Sequence, residues 1–378
     1  MIKPSRIVEN IILIFFFLVM LAYPITAYFC GVENNLQGAE EKVPLTFATL
    51  DDWVTQNFPG REYLVRTKNQ LLYSFFDVSP NSSITKKGDV LYSTEALNYY
   101  LHGLYDVKDE EVLQTVNKLE KVRQILDRKK KQMVVVITPT KPRFSGYEYP
   151  FADDVIRAYE YRDNKKPYDT LKRLLQSTKI NCFDAIEYID THKDILIGGK
   201  VPLFYKSSHH WSTYKGNLVG LAFLDFLKTK LKRRFPKLRV YATPSETAVY
   251  PDQDLFDVLN VYEKPNEQFY ESKVDFLNYD NENLGFTIQG GSFLGGLLLP
   301  LITLSIDREV LHIENKHCLY NRYMDNMEFE SYDDLNQKLK LLEHMKTSEI
   351  FIFEINELNV YNATFGFADY IIEHEKDF

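Results

Sequence analysis

Apolar positions along the chain fall into two periods, one of strands and one of helices. Met133-Val134-Val135-Val136-Ile137 is a continuous, largely β-branched run between a charged stretch and Thr138-Pro139. Such a run fits a strand covered on both faces of a parallel sheet. Glu349-Ile350-Phe351-Ile352-Phe353 reads as a second buried strand, and Asn181-Cys182-Phe183-Asp184-Ala185 as a strand and turn. Leu284-Gly285-Phe286-Thr287-Ile288-Gln289 alternates apolar and polar, as a strand does. A turn and short strand are expected over Lys87-Gly88-Asp89-Val90-Leu91-Tyr92.

Helical spacing appears over residues 110–130, with Leu113, Val116, Leu119, Val122 and Leu126 on the apolar side. A second helix is expected over 168–175. A third starts near Thr213, with Leu218, Val219, Ala222, Phe226 and Leu227 on one stripe. Residues 254–259 form a short helix, and 294–304 a further one directly after Gly290-Gly291-Ser292-Phe293. Residues 264–281 are polar and read as a surface excursion. The helix–strand alternation predicts an α/β domain with a parallel sheet.

The N-terminus departs from this pattern. Residues 7–29 are largely apolar and follow Lys3 and Arg6. About 20 apolar residues cross a bilayer, and basic residues ahead of them keep the N-terminus in the cytoplasm. The expectation is a single-pass anchor in the cell membrane with the rest of the chain outside the cytoplasm. A cleaved signal peptide is the rival, but no clean A-x-A site follows the apolar run. Residues 31–42 are polar and acidic, as a linker would be.

Composition narrows the function classes. The chain has 378 residues, 45% hydrophobic and 26% charged, with a formal net charge of −8. A nucleic-acid partner would need a basic face, so none is expected. The cysteines Cys30, Cys182 and Cys318 are widely spaced, with no CxxC or zinc pattern, so neither metal nor cofactor is expected.

The candidate chemistry lies in two places. His209 and His210 stand beside Trp211, with Ser207, Ser208, Ser212 and Thr213 around them, just before a helix. Ser292 lies between a strand and a helix after Gly290 and Gly291. Glycines permit a sharp turn that exposes a serine hydroxyl, and free N–H groups at a helix start can hold an oxyanion. A serine needs a base to become a nucleophile. These residues make Ser292 the candidate nucleophile and His210 its base. The bland readings are a helix N-cap for Ser292 and a packed turn for the histidines, with Trp211 beneath it. Lys141 reads as a solvated strand end bordering the site mouth, and Arg61 as a structural ion-pairing residue.

Six short motifs follow one another in the order seen in one group: Asn57-Phe58-Pro59-Gly60-Arg61, Gly88-Asp89-Val90-Leu91-Tyr92, Pro139-Thr140-Lys141, Ser208-His209-His210-Trp211, Gly290-Gly291-Ser292-Phe293 and Glu354-Ile355-Asn356-Glu357. The chain thus resembles the alginate O-acetyltransferase AlgX/AlgJ-like family, including proteins named for an Asp-His-His-Trp motif. The resemblance implies an SGNH-hydrolase-like (flavodoxin-like, three-layer) α/β domain over 83–378. Residues 1–6 would be cytoplasmic, 7–29 the transmembrane signal anchor and 30–82 a linker and helical stalk. It further implies a serine acyl-enzyme that acetylates a cell-envelope or exported polysaccharide, fed by a membrane-bound acyltransferase of the MBOAT type. His210 would be the base and Ser292 the nucleophile, with Gly290 and Gly291 at the oxyanion turn and His209, Trp211 and Lys141 supporting.

One departure matters. The family's aspartate falls on Ser208, which can accept the His210 Nδ1–H but carries no charge. Three outcomes follow: a Ser-His dyad enzyme, a stand-in carboxylate among Asp190, Asp194, Glu354 and Glu357, or a glycan-binding or scaffold subunit without catalysis. An acetyl-esterase would use the same chemistry with water as acceptor. Where His210 is the base, Ser208→Asp is expected to raise turnover unless another acid already holds that place.

Overall fold

The computed structural model describes residues 61–102, 107–149, 167–278, 284–294, 341–342, 345–364 and 366–378. The expected anchor at 7–29, the linker after it and most of the helix at 294–304 lie outside the described residues. Among the described residues, no helix is long and apolar enough to cross a membrane. Chain contacts separate residues 1–63 from 64–378, and the second unit is described here.

Its centre is a four-stranded parallel sheet in the order β4-β3-β8-β7. The strands are β3 (Gln132–Thr138), β4 (Asn181–Asp184), β7 (Phe286–Gln289) and β8 (Ile350–Asn356). β8 is buried at every position, and β3 at all but its first. This is why both read as unbroken apolar runs: a central parallel strand has no solvent face on which to place polar residues. β1 (Ile84–Lys87) and β2 (Val90–Ser93) form a hairpin that runs into α2 (Thr94–His102).

Ahead of the hairpin, α1 (Arg61–Ser74) docks through Arg66 on the Val261 carbonyl and Asn69 on the Leu259 carbonyl. The side chain of Arg61, expected to ion-pair, lies outside the described residues.

Helix α3 (Asp109–Arg128) lies against β3, α5 (Pro167–Gln176) and α10 (Phe367–Glu373). Its buried face is Val112, Val116, Leu119, Val122, Ile125 and Leu126, whereas Leu113 is exposed. The expected stripe holds at Val116, Leu119, Val122 and Leu126; Leu113 is off it, and Val112 and Ile125 complete the buried face. Helices α6 (Ala185–Thr191) and α8 (Thr213–Leu231) pack on β3 and β4. On α8 the buried face runs through Val219, Phe223, Leu224, Leu227 and Leu231, while Leu218, Ala222 and Phe226 are only partly covered.

Residues 264–281 are not simply a surface excursion. They contain β6 (Phe269–Phe276), paired antiparallel with β5 (Leu238–Ser245). The ribbon packs one face on α8, so its outer positions stay polar and mask the strand period.

Candidate active site

The site stands outside the carboxyl ends of the parallel strands, the usual place for a site in an open α/β sheet. The polar residues at the ends of β3 and β8 are buried and satisfy one another. Thr138, at the end of β3, donates its hydroxyl to Glu354 of β8. Asn356 donates to the Thr138 Oγ at 3.1 Å and to the Pro139 carbonyl at 2.9 Å. The other Glu354 oxygen accepts the Gly291 N–H at 2.5 Å, just beyond β7. Burial pushes the Glu354 carboxyl up, against the hydrogen bonds from Thr138 and Gly291 and the charge of His210.

That carboxylate explains the glycine pair. A Cβ at Gly290 would lie 2.4 Å from the Glu354 Cβ and 2.5 Å from the Leu294 Cδ1. Neither Gly290 nor Gly291 has a positive φ. Close approach, and not left-handed backbone, is what excludes a side chain at 290. The Gly291 N–H is already taken by Glu354, so the expected oxyanion role for that amide is corrected: it anchors the turn.

The turn presents Ser292, which is partly exposed, and Phe293, which is buried. The Phe293 ring centre lies 5.0 Å from that of His210, 5.5 Å from His209 and 5.6 Å from Trp211. The Gly290-Gly291-Ser292-Phe293 turn and the histidine loop are thus locked together by aromatic packing. Trp211 is buried and forms a bridge with Phe204 that closes the loop.

Ser292 and His210 meet. His210 Nε2 is 2.6 Å from the Ser292 Oγ, and His210 Nδ1 is 2.7 Å from Oδ2 of Asp254. Asp254 begins α9 (Asp254–Asp257). A carboxylate only accepts, so the Nδ1 carries the ring proton and Nε2 is left to accept from the serine. Asp254's other oxygen accepts the backbone N–H of His209 at 2.7 Å and of Leu255 at 3.0 Å. Burial pushes the Asp254 carboxyl up, but its hydrogen bond to His210 and the His210 charge, with a smaller contribution from His209 and its backbone N–H, outweigh that and hold it below its ordinary value.

The expected place of Ser208 is therefore corrected. Its hydroxyl lies 3.0 Å from the His210 carbonyl and 2.9 Å from the Pro251 carbonyl, and its oxygen accepts the His210 N–H at 3.0 Å. It shapes the loop and does not touch the ring. None of the four proposed stand-in carboxylates touches the ring either. Asp190 pairs with Lys193 at the surface, Asp194 is exposed, Glu354 holds Gly291, and Glu357 holds Thr140 and Arg143.

Asp254 was within the sequence's reach only as the first residue of an expected short helix, 44 positions from His210. No spacing rule links the two. The Ser208 hydroxyl donating to the Pro251 carbonyl holds that segment against the histidine loop. Asp252 assists from the same segment, accepting the Thr213 N–H at 2.8 Å and its hydroxyl at 2.9 Å at the start of α8. Burial pushes the Asp252 carboxyl up to about 7. Lys141 is not a solvated strand end but fully buried, and burial pulls its amine down from 10.5 to about 7. No His/Cys/Asp/Glu cluster fit to hold a metal occurs among the described residues.

Two predictions arise here. Ser208→Asp is expected to lower turnover and stability, because it would bury a carboxylate beside the Pro251 and His210 carbonyls while Asp254 already holds the ring. The cost is on the order of 3 kcal/mol, the range for an unpaired buried charge, and a denaturation midpoint together with ester turnover would show it. Turnover above that of the unaltered protein would count against Asp254 as the acid partner.

The second concerns acid stability. Burial, with the neighbouring His210 charge second, pulls His209 down to about 3 from an ordinary 6.5. Its Nδ1 is buried without a partner. The unfolded chain therefore binds a proton here that the folded chain does not, so stability falls as pH drops from 6.5 and the loss levels off near 3. His209→Phe is expected to flatten this part of a plot of urea midpoint against pH. The Asp254 contribution is separate, because a lowered carboxyl loses its stabilisation only as pH falls below its ordinary 3.8.

No protein-family model matches the chain, and no curated protein does. Among solved structures, the O-acetyltransferase domain of Pseudomonas putida AlgJ is similar at 16% identity, over 73% of this chain and 90% of that one, with a TM-score of 0.43. Bacillus cereus PatB1, solved with a sulfonyl adduct, is similar at 10% identity, over 73% and 97%, with a TM-score of 0.44. A DHHW family protein from Eubacterium siraeum is similar at 10% identity, over 76% and 94%, with a TM-score of 0.40.

Proposed function

We propose that this chain is a serine-dependent O-acyltransferase that acts outside the cytoplasm on a cell-envelope or exported polysaccharide. The observation that carries the reading is the continuous line from Asp254 through His210 to a partly exposed Ser292, with contacts of 2.7 and 2.6 Å. A serine hydrogen-bonded to a histidine whose other nitrogen meets a carboxylate is the arrangement that makes a hydroxyl nucleophilic. The order of the sequence motifs supports acetyl as the acyl group and a sugar hydroxyl as the acceptor. The apolar stretch at 7–29 behind Lys3 and Arg6 supports a membrane anchor, with an MBOAT-type acyltransferase as donor.

The chemistry runs in two halves. Ser292 Oγ attacks the acyl carbonyl as His210 Nε2 takes its proton, and Asp254 stabilises the imidazolium. His210 returns the proton to the leaving group, and an acyl-serine remains. The acceptor hydroxyl then gives its proton to His210 and attacks the acyl-serine; the bond to Ser292 Oγ breaks, His210 returns the proton to that oxygen, and the new ester leaves.

The test is to incubate the purified protein and His210→Ala with a chromogenic acetyl ester, following colour and intact mass. An acetyl adduct in the unaltered protein that His210→Ala fails to form is the expected result. A well-folded protein with neither adduct nor turnover would overturn the reading.

A further inference from the structure

The histidine loop contains more backbone polar groups than its own fold can pair. Within it, Ser208 N–H donates to the Tyr205 carbonyl at 3.2 Å, Ser212 N–H to the Leu203 carbonyl at 2.7 Å, and the Ser208 hydroxyl serves the His210 N–H and carbonyl, each at 3.0 Å. Buried backbone groups left without partners would cost free energy; the Leu91 and Phe256 N–H groups take the Lys206 and Ser207 carbonyls, Asp254 takes the His209 N–H, and two further charged side chains close on the 205–208 segment.

Lys141 opens α4 (Lys141–Glu148), directly after the end of β3. Its Nζ lies within hydrogen-bonding distance of four carbonyls, those of Tyr205 at 2.8 Å, Lys206 at 2.9 Å, Ser208 at 2.8 Å and Leu91 in β2 at 2.6 Å. Four carbonyls face one nitrogen, which as an ammonium has three protons to give and as an amine two, so this cage favours the cation, against the burial that pulls the Lys141 amine down to about 7. The ring of Tyr92 lies 5.2 Å from the same nitrogen. On the other side of the loop, Glu267 accepts the N–H of Lys206 at 2.8 Å and of Ser207 at 2.9 Å, along with the Ser207 hydroxyl.

We propose that Lys141 and Glu267 are positioning residues that clamp the loop bearing His210 from opposite sides, the cation on its carbonyls and the carboxylate on its amides. The 205–206 and 206–207 peptides then hold their carbonyl ends at Lys141 and their N–H ends at Glu267, and both side chains resist the same displacement. Hydrogen bonds to charged groups are roughly twice as strong as neutral ones. A shift on the order of 1 Å at a catalytic group costs about 10²-fold in rate. The inference rests on the reading of His210 as the base of a serine acyltransferase.

The experiment uses the full chain with a chromogenic acetyl ester, and the downfield proton resonance of the His210 Nδ1–H as a readout independent of turnover. Lys141→Met is expected to lower kcat about 10²-fold with little change in KM, and to shift or broaden that resonance. Lys141→Ala leaves the four carbonyls in place, so ammonium or methylammonium chloride is expected to restore kcat. Tetramethylammonium, which has no N–H, is not. Glu267→Gln, at a half-exposed position, is expected to fold normally and lower kcat about tenfold, because one amide would face an NH₂ group. It carries the test alone should the Lys141 variants not fold.

Unchanged kcat and an unshifted resonance in these variants would overturn the clamp. So would a fall in kcat with the resonance unmoved, since that places the effect elsewhere. Absence of turnover in the unaltered protein would instead sink the acyltransferase reading, and the resonance would still decide whether the clamp holds His210.

Discussion

Ser292→Ala is expected to remove acyl transfer to the limit of detection while leaving the fold intact. The loss should be roughly 10⁴- to 10⁶-fold in turnover, as for the removal of a nucleophile from a serine triad, or about 5–8 kcal/mol of transition-state stabilisation. The side chain gives up a single hydrogen bond, to His210 Nε2, and it is partly exposed. The stability change should therefore stay within about 1 kcal/mol. Turnover and melting temperature measured on one preparation check both halves of the expectation. A variant that still accumulates an acetyl adduct would place the nucleophile elsewhere.

Asp254→Asn is expected to cost about 10⁴-fold in turnover, the size found when a triad aspartate becomes an amide, or about 5 kcal/mol. The geometry says why the amide fails. One Asp254 oxygen accepts the backbone N–H groups of His209 and Leu255 at 2.7 and 3.0 Å. In the variant, that place goes to the amide oxygen, because an NH₂ there would face two donors. The NH₂ must then face His210 Nδ1, which becomes the acceptor, and the ring proton moves to Nε2. A protonated Nε2 cannot take the proton of Ser292. The fold should survive, since both backbone bonds are kept. The pH profile of ester turnover and the position of the Nδ1–H resonance would show the change of tautomer. Full activity in Asp254→Asn would mean that His210 and Ser292 work as an unassisted dyad.

The two expectations differ in how far the sequence pointed to them. Ser292 and His210 were legible because each lies in a local pattern: a glycine pair between strand and helix, and a histidine pair before a helix. Local patterns report local backbone geometry. The strands β3 and β8 were legible for a similar reason, since burial on both faces leaves nothing but apolar residues. The helix faces were readable only to within a residue, as Leu113 and Ile125 show, because neighbouring positions on a helix differ by about 100° and the packing partner selects among them. The ribbon of β5 and β6 was missed because only one of its faces is covered, by α8.

The sequence by itself determined the α/β alternation, the apolar strands of the sheet, and the types of side chain that would supply a nucleophile and a base. Only the tertiary structure decided which acid completes them, because Asp254 reaches His210 through a folded loop and not through any repeat along the chain. It also decided that Ser208 shapes the loop, that Glu354 excludes a side chain at Gly290, and that Lys141 is buried against the histidine loop. Each of these is a contact between residues far apart in the chain. Its energy depends on distance and dielectric in the folded state, and neither is a property of the local sequence.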